Sequence, residues 1–245
     1  DLKAHIEDAP DPNVSRETLS GPGPSFNPAI NSVIDQAAAK AGVPAGMLRT
    51  FAKIESGGQP GVTTGSYKGL FQLSEAEFRK HGGEGNIYDP QANAEAAARK
   101  LKVESETFAA RFGREPTAAE LYMVHQQGEA GSAAHMSNPG APAWQNMAST
   151  GEGRQKGAAW AKQAIWGNVP DADKARFGSV ENISSADFMG LWQAKVEKFS
   201  GGPSTLDRLR TAQGGPTQTD KLMGQPLADI GDDPEGAQLA RSAGF

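Results

Sequence analysis

Glu55 is the residue whose type and setting best suit it to chemistry. It sits in "KIESGG", residues 53–58, where an apolar residue precedes one acid and Ser56, Gly57 and Gly58 then break the backbone. Glu55 lies four residues after Phe51 and seven after Leu48. Those offsets put its side chain on the buried face of a helix. It also falls in the last turn, at the negative end of the helix dipole. Burial and dipole both oppose ionisation, and a carboxylic acid kept protonated near neutrality can act as a general acid. The same six residues also spell an exposed glutamate before an ordinary glycine stop, so the motif alone leaves both alternatives open.

The next segment narrows them. "KGLFQL", residues 68–73, follows a loop long enough to fold back over the end of that helix. Its Gln72 offers both a donor and an acceptor. Glu75, Glu77 and Glu84 come after it, but Ser74 and Glu77 have the spacing of a capping box. Glycosidases usually pair two carboxyl groups, about 5–5.5 Å apart when retaining and about 6.5–9.5 Å when inverting. No second acid stands at a position as convincing as Glu55. Four histidines and no ligand-spaced cluster of His, Asp and Glu give no metal site.

Helices must carry these residues. Asn27–Pro28 opens the first, with Ile30, Val33, Ile34, Ala37 and Ala41 at helical spacing and Gly42 as its stop. Pro44 opens the second, which ends at Gly57. Residues 59–73 lack helical period and read as a loop or short hairpin. The strongest helix starts at Asp89–Pro90 and stops at Gly113. Thr117 and Glu120 form another capping box, opening "AELYMVHQQG". Residues 138–182 are glycine-rich with scattered tryptophans. They predict a helix near 154–166. A last helix spans about 186–199.

Residues 1–26 are polar and rich in Pro and Gly and read as a flexible N-terminal arm. Residues 27–201 form the folded domain, and 202–245 a linker or tail. The chain begins at Asp1 rather than Met, which reads as a processed product or a piece of something longer.

Composition sets outer limits. The 245 residues carry a net charge of −5, which argues against a nucleic-acid partner with its usual basic face. Hydrophobic residues make up 37% and glycine numbers 30, as expected of a helical body with long working loops. No apolar run approaches the ~20 residues that span a bilayer. Cysteine is absent, which removes disulfides and thiolate zinc.

Taken in order, Glu55–Ser56, then Gly69-Leu70-Phe71-Gln72, then "YDPQANAEAAARKL" at 88–101 resemble the successive motifs of bacterial soluble lytic transglycosylases. The order and spacing match over roughly residues 27–130. The resemblance implies a mainly α, lysozyme-like (goose-type) helical domain with a small β-like lobe and flexible termini. It implies a peptidoglycan lytic transglycosylase that cleaves the MurNAc–GlcNAc β-1,4 bond and closes a 1,6-anhydro ring, without cofactor or metal. Glu55 would be the catalytic acid, then base. Ser56, Tyr67, Gln72, His125 and Gln126 would bind substrate, and Asp89 and Asn93 would be cap and packing polar. One acid suffices for this chemistry, because the muramoyl 6-hydroxyl replaces water as the nucleophile.

The chain departs from the family at "VHQQGEAG", 124–131, where His125 and Gln126 stand in place of the usual Tyr and Asn. His125 is open to a second description, a histidine bonded at the edge of a core. The implied partner is the peptidoglycan glycan strand, with action in the periplasm or cell envelope, or from a virion or larger envelope assembly. The competing expectations are a hydrolytic muramidase and a non-catalytic, glycan-binding protein of a virion or secretion apparatus.

Overall fold

The computed structural model describes residues 21–200. Among these, ten helices surround one short hairpin: α1 (Pro28–Ala41), α2 (Ala45–Ser56), β1 (Thr63–Thr64), β2 (Tyr67–Lys68), α3 (Glu75–Lys80), α4 (Pro90–Phe112) and α5 (Ala118–Ser137), then α6 (Ala143–Ala148), α7 (Gly151–Lys156), α8 (Ala158–Trp166), α9 (Asp171–Phe177) and α10 (Ser185–Phe199). The architecture is mainly helical with a very small β lobe, as expected of a lysozyme-like domain.

The helices begin where short polar side chains satisfy the first free N–H groups. Asn27 accepts from the Ile30 N–H and Asp89 from the Ala92 N–H, each followed by proline in the first turn. Asp89 is thus a cap. Ser74–Glu77 and Thr117–Glu120 are both complete capping boxes, and so is Ser184–Asp187 at the head of α10.

The 138–182 stretch holds more helix than its sequence predicts. The helix expected near 154–166 is two helices, α7 and α8, divided at Gly157. Helices α6 and α9, six and seven residues long, are too short to display a period. Trp144, Trp160 and Trp166 are partly buried against the core. Lys162 lies 4.6 Å over the Trp144 ring, so one face of that ring already has a cation against it.

Two packings position the site. Helix α1 lies along α4, and α10 lies along α5. Ile34, Leu48, Phe51, Leu70, Phe71, Leu101, Leu121 and Tyr122 are buried in one continuous core. The hairpin pairs Thr63 with Lys68 and Thr64 with Tyr67, antiparallel, and Lys68 bridges on to Leu73. Residues 21–26, the last part of the polar arm, lie against α2 and the turn after it: Gly23 is in contact range of Gly46 and Phe26 of Gly58, and the Phe26 N–H donates to Asn31 Oδ1 of α1 at 2.9 Å. The rest of that arm and the 202–245 tail lie outside the described residues.

Candidate active site

Glu55 lies in the last turn of α2 with its side chain turned inward. That side chain is 2% exposed, although the residue as a whole is only half-buried, so the remaining exposure belongs to the backbone at the helix end. The burial follows from spacing. Phe51, one turn earlier, is buried and meets Tyr122 edge-on at 4.9 Å, so the next residue on that face also points at α5.

Helix α5 answers with three residues on one face. Tyr122, His125 and Gln126 are spaced i, i+3 and i+4, which brings them side by side. Gln126 Nε2 donates to Glu55 Oε1 at 2.8 Å and the Tyr122 hydroxyl donates to the same oxygen at 3.1 Å. Gln126 Nε2 spends its other hydrogen on the Tyr122 oxygen at 3.1 Å. The phenol thus accepts from the amide and donates to the acid, and burial pushes its own pKa well up. Tyr122 therefore stays a neutral donor.

His125 faces the acid from one side and a cation from the other. Its Nε2 is 3.6 Å from Glu55 Oε1, while Lys100 Nζ is 2.8 Å from its Nδ1. Burial first, then the charges of Lys100 and His81, holds the imidazole well below its ordinary pKa. Lys100 in turn bonds Glu104 at 2.7 Å and lies 3.5 Å from Glu77.

The residues expected at the glycan fall into two groups. Ser56 and Gln72 build the wall. Ser56 Oγ reaches the Leu70 carbonyl at 2.7 Å and accepts from the Gly58 N–H at 3.2 Å, bolting the end of α2 to the β lobe. Gln72 adopts φ +47°, and its Nε2 donates to the carbonyls of Gly69 and Val62 at 2.8 and 2.9 Å. Both are buried, and Ser56 Oγ and Gln72 Nε2 serve the protein's own backbone. Tyr67 is buried too, and burial, with a contribution from Glu77, raises its phenol pKa.

Asn93 holds this wall from behind. Its Oδ1 accepts from the Phe71 N–H at 2.8 Å and its Nδ2 donates to the Ile87 and Lys68 carbonyls at 2.9 and 3.2 Å. Gly69, at φ +81°, lies against that amide: a Cβ there would sit 2.5 Å from Asn93 Nδ2. The Gly-Leu-Phe-Gln motif is thus glycine at its first position for both conformation and space.

His125 and Gln126, expected at the glycan, also have partners within the protein. Gln126 holds the acid and His125 holds a lysine. A hydroxyl reaches Glu55 from Tyr122, one turn before Gln126. That residue escaped the motif comparison, although its i−4 relation to Gln126 was visible in the sequence. Lys100 and Glu104 were also missed, because a lysine and glutamate one turn apart on a long helix read as a solvated pair.

Among the described residues, no group of three or more His, Asp or Glu side chains is arranged to hold a metal, and no helix is long and apolar enough to cross a membrane. No curated protein matches the chain. Residues 32–124 match the family model described as the transglycosylase SLT domain, a span that contains Glu55, the β lobe and Asn93 and stops one residue short of His125. Such domains have a transglycosylase-type function directed at peptidoglycan. Residues 32–124 are thus similar to an SLT domain, and the mainly helical fold is consistent with the lysozyme-like architecture of that family.

Proposed function

We propose that the chain is a lytic transglycosylase that cleaves the MurNAc–GlcNAc β-1,4 bond of peptidoglycan. The carrying observation is the setting of Glu55: a nearly fully buried carboxyl at a helix end, beside the β lobe, with Oε1 held by two neutral donors. A fixed carboxyl in reach of a glycosidic oxygen supplies the proton that bond cleavage requires.

The steps use one side chain. Protonated Glu55 gives its hydrogen to the oxygen leaving with GlcNAc. The MurNAc anomeric carbon becomes electron-poor, in an oxocarbenium-like state. The carboxylate left behind then takes the proton of the muramoyl 6-hydroxyl, whose oxygen closes on the anomeric carbon. Glu55 is protonated again, and the product carries a 1,6-anhydro ring. Tyr122 and Gln126 keep Oε1 in place through both transfers, a positional constraint of the kind that makes such steps fast. Action in the cell envelope, by a host enzyme or a virion component, is the setting this substrate implies.

Digestion of purified sacculi with product masses tests the proposal. Anhydro-muropeptides, lighter than hydrolysed ones by one water, are expected from the native chain, and none from Glu55→Gln. Hydrolysed products in place of anhydro ones would make the chain a muramidase. Equal clearing by the variant would remove Glu55 from the chemistry.

A further inference from the structure

Glu55 has a stronger base for a neighbour. In water an imidazole holds its proton about two pH units more tightly than a glutamate carboxyl. With His125 Nε2 only 3.6 Å from Glu55 Oε1, a single proton shared between them would by default sit on the histidine. Glu55 would then be a carboxylate with nothing to donate. An acid next to a histidine needs something that denies the ring its second proton.

Lys100 stands where that is done. Its ammonium has donors only, so at 2.8 Å the His125 Nδ1 must be the acceptor. The ring's one hydrogen is then on Nε2, facing Glu55. To become imidazolium, His125 would have to place a second hydrogen on Nδ1, directly against the NH3+ group. Burial alone would push the Lys100 ammonium down, but Glu104 and Glu77 outweigh it and hold the lysine above its ordinary pKa. The lysine therefore stays charged.

The other titratable groups around the ring leave this balance in place. From α4, Glu104 Oε2 lies 3.9 Å from Nδ1 and favours the imidazolium. Lys100 Nζ, at 2.8 Å, is closer to Nδ1 than that carboxylate oxygen is. At the end of α3, His81 opposes a charge on His125. From α2 and α5 the ring meets Phe51 and Tyr122, both uncharged, at 6.0 and 6.1 Å.

We propose that Lys100 is a positioning residue that denies His125 a second proton and so leaves the proton of the His125–Glu55 pair on Glu55. Its catalytic meaning rests on the proposed role of Glu55, whereas its physics does not.

The test is 15N NMR of histidine-labelled full chain from about pH 5 to 8, where a free imidazole titrates. Native His125 is expected as the neutral Nε2–H tautomer throughout. Lys100→Met combined with Glu104→Gln removes the cation together with its closest acid, and a thermal melt checks that the variant folds. In that variant the His125 pKa is expected to rise by about one unit or more, with an imidazolium signal at the acid end. Glu104→Gln alone and Lys100→Arg are expected to leave the ring neutral. On sacculi at neutral pH the double variant is expected to lose about tenfold or more in rate, for each pH unit by which the acid is under-protonated, and Lys100→Arg to retain most of it.

An unchanged His125 spectrum in the double variant overturns the proposal. So does full sacculus digestion by a variant whose His125 is protonated. If native chain and Glu55→Gln are equally inert on sacculi, the proposed function fails, and the 15N spectra still decide whether Lys100 controls the ring.

Discussion

The catalytic claim rests on the polar contacts of one carboxyl, and single substitutions separate them. Glu55→Gln retains an oxygen that can accept from Tyr122 and Gln126. The fold is expected to survive, and the turnover rate to fall by about 10²-fold or more, the usual worth of a positioned proton donor. Tyr122→Phe removes one of the two donors while keeping the ring contacts with Phe51 and Trp192 at 4.9 and 5.6 Å. Its melting free energy is expected to drop by about 1 kcal/mol, with a larger relative loss in rate, read from paired denaturation and digestion assays. A different titration shows at His135, fully buried, with Nδ1 2.7 Å from Ser185 Oγ. Burial holds its pKa down to about 4, against about 6.5 in an unfolded chain. Between those values the unfolded chain binds a proton that the native chain refuses, so stability present above the upper value falls as pH drops. The loss from this group is roughly 3 kcal/mol across the window. His125, also held low, acts in the same direction and Glu104, held high, in the opposite one. The difference in denaturant midpoint between native chain and His135→Asn across that pH range isolates the His135 share, and a difference that does not change with pH would refute it.

At the scale of elements, one amide ties the β lobe to α4, beside the Ser56 bond that ties it to α2. Asn93 on α4 pairs with three backbone groups from residues 68, 71 and 87, so Asn93→Ala leaves the buried Phe71 N–H and Ile87 carbonyl without this amide, while the Lys68 carbonyl keeps the Leu73 N–H. A cost of at least about 1–3 kcal/mol is expected, seen as a melting point lower by roughly 2–4 °C per kcal/mol. Gly69→Ala should lower it as well, since its Cβ would press on the same amide at 2.5 Å. A native melting point in either variant would show that the lobe is held elsewhere. This scale also shows what the sequence made legible. The ends of α1, α4 and α5 were marked by Asn27, Asp89, Gly113 and the Thr117–Glu120 pair, because capping depends on residues within a turn of each other. The placement of Glu55 on a buried face was legible for the same reason. Helices α6 and α9 were not, being two turns or less. Nor was the task of Gln72, whose partners Gly69 and Val62 are set by a positive φ that few sequences announce. Lys100 was the least legible of all. Nothing local distinguishes it from a surface lysine, and only the approach of α5 and α3 turns it into a buried cation.

The molecule as a whole is arranged so that α2 supplies the acid, α5 its donors, and α4 the groups behind them. Helix α5 is backed in turn by α10, where Trp192 packs edge-on to Tyr122 at 5.6 Å and Phe188 edge-on to Trp192 at 5.6 Å. Gly128, at φ +71° and ψ 168°, breaks α5 just beyond Gln126, so the part that faces Glu55 and the part that carries His135 are separate straight runs. Trp192→Ala should therefore act at a distance. It opens a space beside Tyr122 worth about 3–5 kcal/mol of stability and should reduce glycan cleavage beyond the fraction unfolded, as measured by activity per folded molecule. Unaltered specific activity would mean that Tyr122 needs no backing.

The matched span ends at Val124, yet the amide on the acid, the imidazole beside it and the tryptophan behind the phenol all come later in the chain. The smallest portable unit is therefore larger than the family signature. Anyone transplanting residues 32–124 into another scaffold would carry Glu55 without Gln126 and Trp192, and would move the recognisable half of a device whose other half looks like nothing in particular.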